Sequence, residues 1–175
     1  MSGDVNGIPR VDPRGAHRAA WQRAILRLVA TRPGAAVHRT LAAPLDAPLM
    51  RLTHGRVSLA VGAIPLVVLV STGARTGQRR ETPLVYFTDG EAVILMASSY
   101  GREHHPGWYY NLAAHPACEL RVGPRGGRFL AREVQGAERD RLYALAVDHY
   151  GGYGAYAQRT DGVRTIPVLR LTPAA

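Results

Sequence analysis

The 175-residue chain has no lysine, one cysteine and two phenylalanines. With Cys118 alone no internal disulfide is possible, and its place within residues 117–122 reads as a small core position, not a nucleophile. Long apolar runs are missing as well. The longest nearly unbroken one, Leu59 to Val70, is too short to cross a bilayer as a helix and contains Pro65. The opening Met1-Ser2-Gly3-Asp4 lacks a charged-then-apolar leader, so a cytoplasmic protein is expected. No metal constellation stands out. His104-His105 are adjacent, which rarely places two imidazoles on one ion, and the other five histidines are scattered. Absence of helix-turn-helix, zinc-finger and RNP patterns makes nucleic acid the weakest partner class.

What is present is an apolar fraction of 46%, enough for one globular domain with a buried core. The net charge is +9, and every basic side chain except histidine is a guanidinium. The bias against lysine fits a GC-rich genome and needs no functional cause. A basic balance still favours an anionic partner, a phosphorylated cofactor or an acidic lipid surface.

Met1 to Gly15 mixes Gly, Pro, Asp and Arg and is expected to be mobile. Helical patterns follow at Ala16–Thr31, where Trp21, Ile25 and Leu28 share a face, then at Ala35–Ala42 and Leu45–Leu52. Residues 1–52 therefore read as a flexible tail with a helical cap, and 53–175 as the main domain. Nine arginines against three aspartates fall in the first 56 residues. Two readings stay open: an amphipathic segment docking on anionic lipid at the inner face of the membrane, or a cap packed on the domain with its arginines in water.

Strand patterns begin at Ile64–Thr72 and continue at Glu81–Phe87, Glu91–Ser98, Pro116–Val122, Arg128–Val134 and Thr165–Leu171. Asp89-Gly90 and the run Gly123 to Gly127 read as turns. Gly107–Ala114 and Glu138–Tyr150 read as helices. Many short antiparallel strands with helices attached predict an α+β small barrel. Between the first two strands lies Ser71-Thr72-Gly73-Ala74-Arg75-Thr76-Gly77-Gln78-Arg79-Arg80. It carries more hydrogen-bond donors than a turn requires. Glycines let backbone amides converge on an anion and arginines add forked charge-assisted bonds, so a phosphate or polycarboxylate site competes with a merely solvated loop.

Thr72-Gly73-Ala74-Arg75-Thr76-Gly77-Gln78-Arg79-Arg80 with Pro83-Leu84 resembles the deazaflavin-dependent nitroreductase and quinone reductase family. Further marks follow in order: Ala97 to Gly101, Pro106 to Leu112, and Arg164-Thr165-Ile166-Pro167. The resemblance spans about Thr53 to Leu171. It implies a split β-barrel and a reductase, in the actinobacterial manner, that takes a hydride from reduced coenzyme F420. The acceptor would be an electron-poor small molecule such as a quinone or a nitroaromatic.

By the same resemblance Arg75 and Arg80 hold the cofactor phosphate, with backbone donors from Thr76, Gly77 and Gln78. Arg79 stands where many members have proline and takes no role. Thr82, Pro83 and Leu84 run beneath the ring system, and Val85, where members often carry an aromatic, faces the substrate. Proline at 83 suits an edge or irregular position. Ser98 keeps the family serine, while Ser99 replaces its lysine. Trp108 and Asn111, three apart on one helical face, would wall off and orient the ring; alternatively Trp108 is core and Asn111 a cap. Tyr150, Tyr153 and Tyr156, interleaved with glycines, predict a loosely wound, mobile segment. In the family, tyrosines at this spacing form a substrate-side wall, and a stripe packed on the barrel is the alternative. Ser98, Tyr150 and Tyr153 are the candidate proton donors. Other functions left open are an FMN-binding split-barrel oxidoreductase and a non-catalytic, membrane-associated lipid or isoprenoid carrier; monomer and homodimer both fit.

Overall fold

A computed structural model describes residues 3–14, 65–150, 152–160 and 163–174. The three helices expected between Ala16 and Leu52, and the boundary at 52/53, lie outside these residues. Six antiparallel strands close into a barrel in the order β3 (Leu66–Thr72), β4 (Arg79–Asp89), β5 (Ala92–Met96), β8 (Val168–Pro173), β7 (Arg125–Val134) and β6 (Ala117–Val122), with β6 returning to β3. This is the α+β barrel expected from the sequence.

Strand pleating sorts β5 between two cores. Val93 and Leu95 point into the barrel with Val67, Leu69, Leu120, Phe129 and Leu171. Ile94 and Met96 point out, under Leu142, Leu145 and Ala146 of helix α2 (Gly136–His149). A strand covered on both faces must be apolar throughout, which is why residues 92–96 show no alternation. Helix α2 is fixed at its polar edge by ion pairs. Asp89, at the end of β4, takes both Nη atoms of Arg141 at 3.0 and 2.9 Å and is also paired with Arg170 of β8. Arg170 Nε donates to Glu138 at 2.7 Å. Arg141, then Arg170, hold the Asp89 carboxyl down to about 2 against the opposing effect of burial.

The N-terminus is not the mobile tail that its composition predicts. Asp4–Val5 (β1) and Ile8–Pro9 (β2) form a hairpin seated on the barrel. Val5 and Ile8 are 1% and 0% exposed within the barrel core. Asn6 Nδ2 donates to the Arg128 carbonyl at 2.8 Å, and the Tyr86 hydroxyl to that of Pro9 at 3.0 Å. Val11 then exchanges bonds with Thr88: its N–H reaches Oγ1 and its carbonyl takes the Thr88 N–H, each at 2.9 Å. This seat explains a second departure. Gly126 and Gly127 are not turn residues; the turn is shorter and both lie in β7. A Cβ on Gly127 would come within 2.5 Å of Asn6, so strand glycines make room for the hairpin.

The segment after α2 also differs. Gly152–Thr160 is a regular helix, α3, not a loosely wound stretch. Tyr153 packs into the α2-side core, and that tertiary burial outweighs the intrinsic cost of the glycines.

Candidate active site

Strand β4 begins at Arg79, so Arg79 and Arg80 pair with Thr72 and Ser71 and the connecting loop shrinks to residues 73–78. The loop is tied to itself. Gly73 N–H donates to the Gln78 carbonyl and Gly77 N–H to the Gly73 carbonyl, both at 2.8 Å. Gln78 N–H reaches Thr76 Oγ1 at 3.3 Å. A Cβ at Gly73 would meet that oxygen at 2.8 Å, and Gly77 has φ +65°. The amides of Gly77 and Gln78 are therefore bonded within the loop. Arg75 has no hydrogen bond or ion pair among the described residues, and Arg80 donates only to Gln78 Oε1 at 3.1 Å. Arg79 is neutralised by Glu81 at 2.6 Å. The chemistry offered to an anion is two exposed guanidiniums without a carboxylate partner, Arg75 on the fixed loop and Arg80 at the start of β4, which fits a phosphorylated group.

Helix α1 (Gly107–Ala114) anchors this loop from outside the hairpin. Asn111 Oδ1 accepts the Ala74 N–H at 3.0 Å, and its Nδ2 reaches the buried Ser71 Oγ at 3.4 Å. Its carbonyl thus orients the loop. Trp108, one turn earlier on that helix, is buried in the barrel core with Leu69, Tyr86 and Leu112. Thr82, Pro83, Leu84 and Val85 are half-buried along β4, opposite Leu69, Val68, Val67 and Leu66. Tyr86 N–H bonds toward the β3 side, to Pro65, so alternate residues do likewise and Pro83 faces the other edge. There β5 pairs only from Tyr86 onward, so the missing N–H of Pro83 interrupts no ladder.

Beyond β5, Ser98 leads into a single 3-10 turn over Ser99–Gly101, in which Ser99 has φ +50° and Gly101 φ +74°. Arg164 grips this turn. Its Nη2 donates to the Ser98 carbonyl at 2.7 Å, Nε to Arg102 at 2.8 Å and Nη1 to Ala97 at 3.3 Å. Nη1 also meets His105 Nδ1 at 3.0 Å. His105 in turn lies against Tyr109 and Tyr110 of α1, with ring centroids 4.7 and 5.9 Å away. The Tyr109 hydroxyl donates to Glu133 Oε2 at 2.8 Å; burial and that carboxylate push its pKa up to about 12. These contacts were missed from sequence. The Arg164-Thr165-Ile166-Pro167 signature marked the position without saying what the guanidinium holds.

Tyr150 and Tyr153 meet edge to face at 5.4 Å and are 6% and 5% exposed, within the core that includes Met96, Leu142 and Ile166. Tyr143 donates its hydroxyl to the Tyr153 carbonyl at 2.9 Å. The burial favours the packed stripe over an open wall. Helix α3, which carries Tyr153, nonetheless packs on the 99–101 turn. The side chain of Tyr156 lies outside the described set. Among the described residues no group of three or more His, Cys, Asp or Glu could hold a metal, and no helix is long and apolar enough to cross a membrane.

Comparison with known proteins matches residues 45–173 to the profile of the F420H(2)-dependent quinone reductase family. The F420H(2)-dependent quinone reductase Rv1261c of Mycobacterium tuberculosis is 40% identical over 128 residues, 71% of this chain and 85% of that protein. Among solved structures, an F420-H2 dependent reductase, FDR-A, is 35% identical with a TM-score of 0.56 and covers 61% of this chain and 93% of its own. A domain-swapped dimer is 32% identical with a TM-score of 0.57, covering 74% and 99%. The site lies within the matched span, and the chain belongs to the F420H(2)-dependent quinone reductase family.

Proposed function

We propose that this chain reduces a quinone-type acceptor with reduced coenzyme F420, held by its phosphate at Arg75 and Arg80. The observation that carries the reading is the pair of guanidiniums without a carboxylate partner, on and beside a loop fixed by Asn111, within a span matched to the family. Bound and reduced, the coenzyme supplies the hydride; the protein's part is to bind, orient and exclude water. Thr82, Pro83 and Leu84 would hold the ring from below, Trp108 would back it from the core, and Ser98 would offer a hydroxyl where charge develops on the acceptor oxygen. The one proton that, with the hydride, completes the quinol would come through Ser98 or from solvent. Tyr150 and Tyr153 brace this side, with Val85 toward the acceptor.

The test is a fluorescence titration of the full-length protein with coenzyme F420 beside FMN and NADPH, followed by oxidation of the reduced coenzyme with a quinone. Preferential deazaflavin binding and quinone-dependent oxidation are expected. Tight FMN binding without measurable F420 affinity overturns the reading, and F420 binding without turnover leaves a carrier. The arginine-rich stretch before residue 65 supports peripheral contact with an anionic membrane; equal vesicle sedimentation after joint replacement of Arg18, Arg23 and Arg27 would remove it.

A further inference from the structure

Ser99 holds φ +50°, a left-handed conformation that a residue with a Cβ rarely adopts. Such a residue persists where its surroundings over-determine it. One guanidinium does so here. Arg164 takes the carbonyl before Ser99, from Ser98, and a carbonyl after it, from Arg102, while also holding Ala97 at the end of β5 and His105. Backbone bonds from Gly101 to Ser98 and from Arg102 to Ser99 tighten the turn from within; Arg164 enters from outside it, on the segment before β8.

We propose that Arg164 is the positioning residue of the coenzyme site: by gripping the carbonyls of Ala97, Ser98 and Arg102 it keeps Ser99 left-handed and Ser98 aimed, without itself touching the coenzyme. The inference rests on the placement of Ser98 in the site, proposed above. His105 is its proton-sensitive member. Its Nδ1 accepts from Arg164 only while unprotonated. The groups facing it are Arg164, Tyr109 and Tyr110 of α1, and Glu133 of β7. Burial, then Arg164, lower its pKa from the ordinary 6.5, against the opposing pull of Glu133. Protonation would set two cations 3.0 Å apart and release one arm of the grip. Coenzyme affinity should therefore be full above that lowered pKa and fall as pH drops through it.

The experiment measures the dissociation constant of coenzyme F420 by fluorescence between about pH 5 and pH 8, a range spanning the histidine transition, with thermal melts to confirm folding. Arg164→Gln is expected to weaken binding roughly tenfold or more, as for loss of charge-assisted bonds. Arg164→Lys recovers little, because a point charge cannot grip a fan of carbonyls. Adding Ser99→Gly to Arg164→Gln recovers part of the affinity, since glycine takes positive φ without steric cost. His105→Asn, whose oxygen accepts but does not titrate, flattens the acid limb. A merely structural arginine would lower the melting temperature and show neither the glycine rescue nor the altered pH profile. Wild-type affinity in folded Arg164→Gln, or no rescue together with an intact acid limb in His105→Asn, overturns the proposal. Should Arg164→Gln not fold, the rescue is read in Arg164→Lys. Ser98→Ala separates the two claims: unchanged affinity and turnover there removes Ser98 from the site, whereas a loss there with normal Arg164→Gln removes only Arg164.

Discussion

Arg79 and Arg80 are neighbours in sequence with opposite fates, and strand geometry decides which is which. Side chains two apart share a face of a strand. Arg79 therefore meets Glu81 at 2.6 Å, while Arg80 shares its side with Gln78, an uncharged amide. One cation is neutralised and the other stays available. Arg80→Ala should raise the dissociation constant of F420 on the order of tenfold to a hundredfold, the loss of a charged hydrogen bond worth about 1.5–3 kcal/mol. Arg79→Ala should change it by less than about threefold, and the Arg80 defect should shrink as salt rises. Titration of both variants at two ionic strengths checks this. Asp89 gives a second expectation. Its folded pKa, about 2, lies below the ordinary 3.8, so its stabilising contribution is present above 3.8 and is lost as pH falls through 2. Asp89→Asn should cost roughly 2 kcal/mol near neutrality and flatten the acid limb of stability over that window, read by denaturant melts. At this scale the sequence was legible for residue type and opaque for partners. Arg75 and Arg80 stood out as donors, but the Arg164 grip depends on carbonyls some sixty positions away, which no local pattern encodes.

Elements with a strong period were readable and the short ones were not. Helix α1 matches its expected bounds, and all six barrel strands were expected within a few residues. The hairpin Asp4–Pro9 was missed because its two-residue strands carry no periodicity. Its signal was there all the same: Asn6-Gly7 between Val5 and Ile8, with φ +49° and +83°, is the two-residue turn that suits tight hairpins. The element carries stability. Ile8→Ala should destabilise by about 2–5 kcal/mol, as for a fully buried branched residue. Deleting residues 1–11 should cost more and reduce soluble yield; an unchanged melting temperature would mean the hairpin is dispensable. Helix α3 yields the opposite lesson, since interleaved glycines hid a helix that its packing secures. Tyr153→Phe should change quinone turnover by less than about threefold if the buried pair only packs; a larger loss with F420 affinity intact would restore the tyrosine wall.

The whole molecule was legible as a barrel because its strands alternate or run apolar as a closed sheet demands, and because the family resemblance runs from about Thr53 to Leu171. The hairpin lies before that span, so neither periodicity nor resemblance could place it. Its position has a consequence for the timing of assembly. The hairpin finds its neighbours on β6 and β7, and the Asn6 to Arg128 bond joins residues 122 apart. Strand β8, which β7 needs to close the barrel, comes later still. At a synthesis rate of about 5–20 residues per second the hairpin residues are exposed for several seconds before their seat exists. Contacts this distant in sequence also slow folding, because loop closure precedes any gain. The hairpin, made long before its seat, is thus among the last elements to find its place, and its Val-Asn-Gly-Ile segment stays available to other chains until β7 emerges.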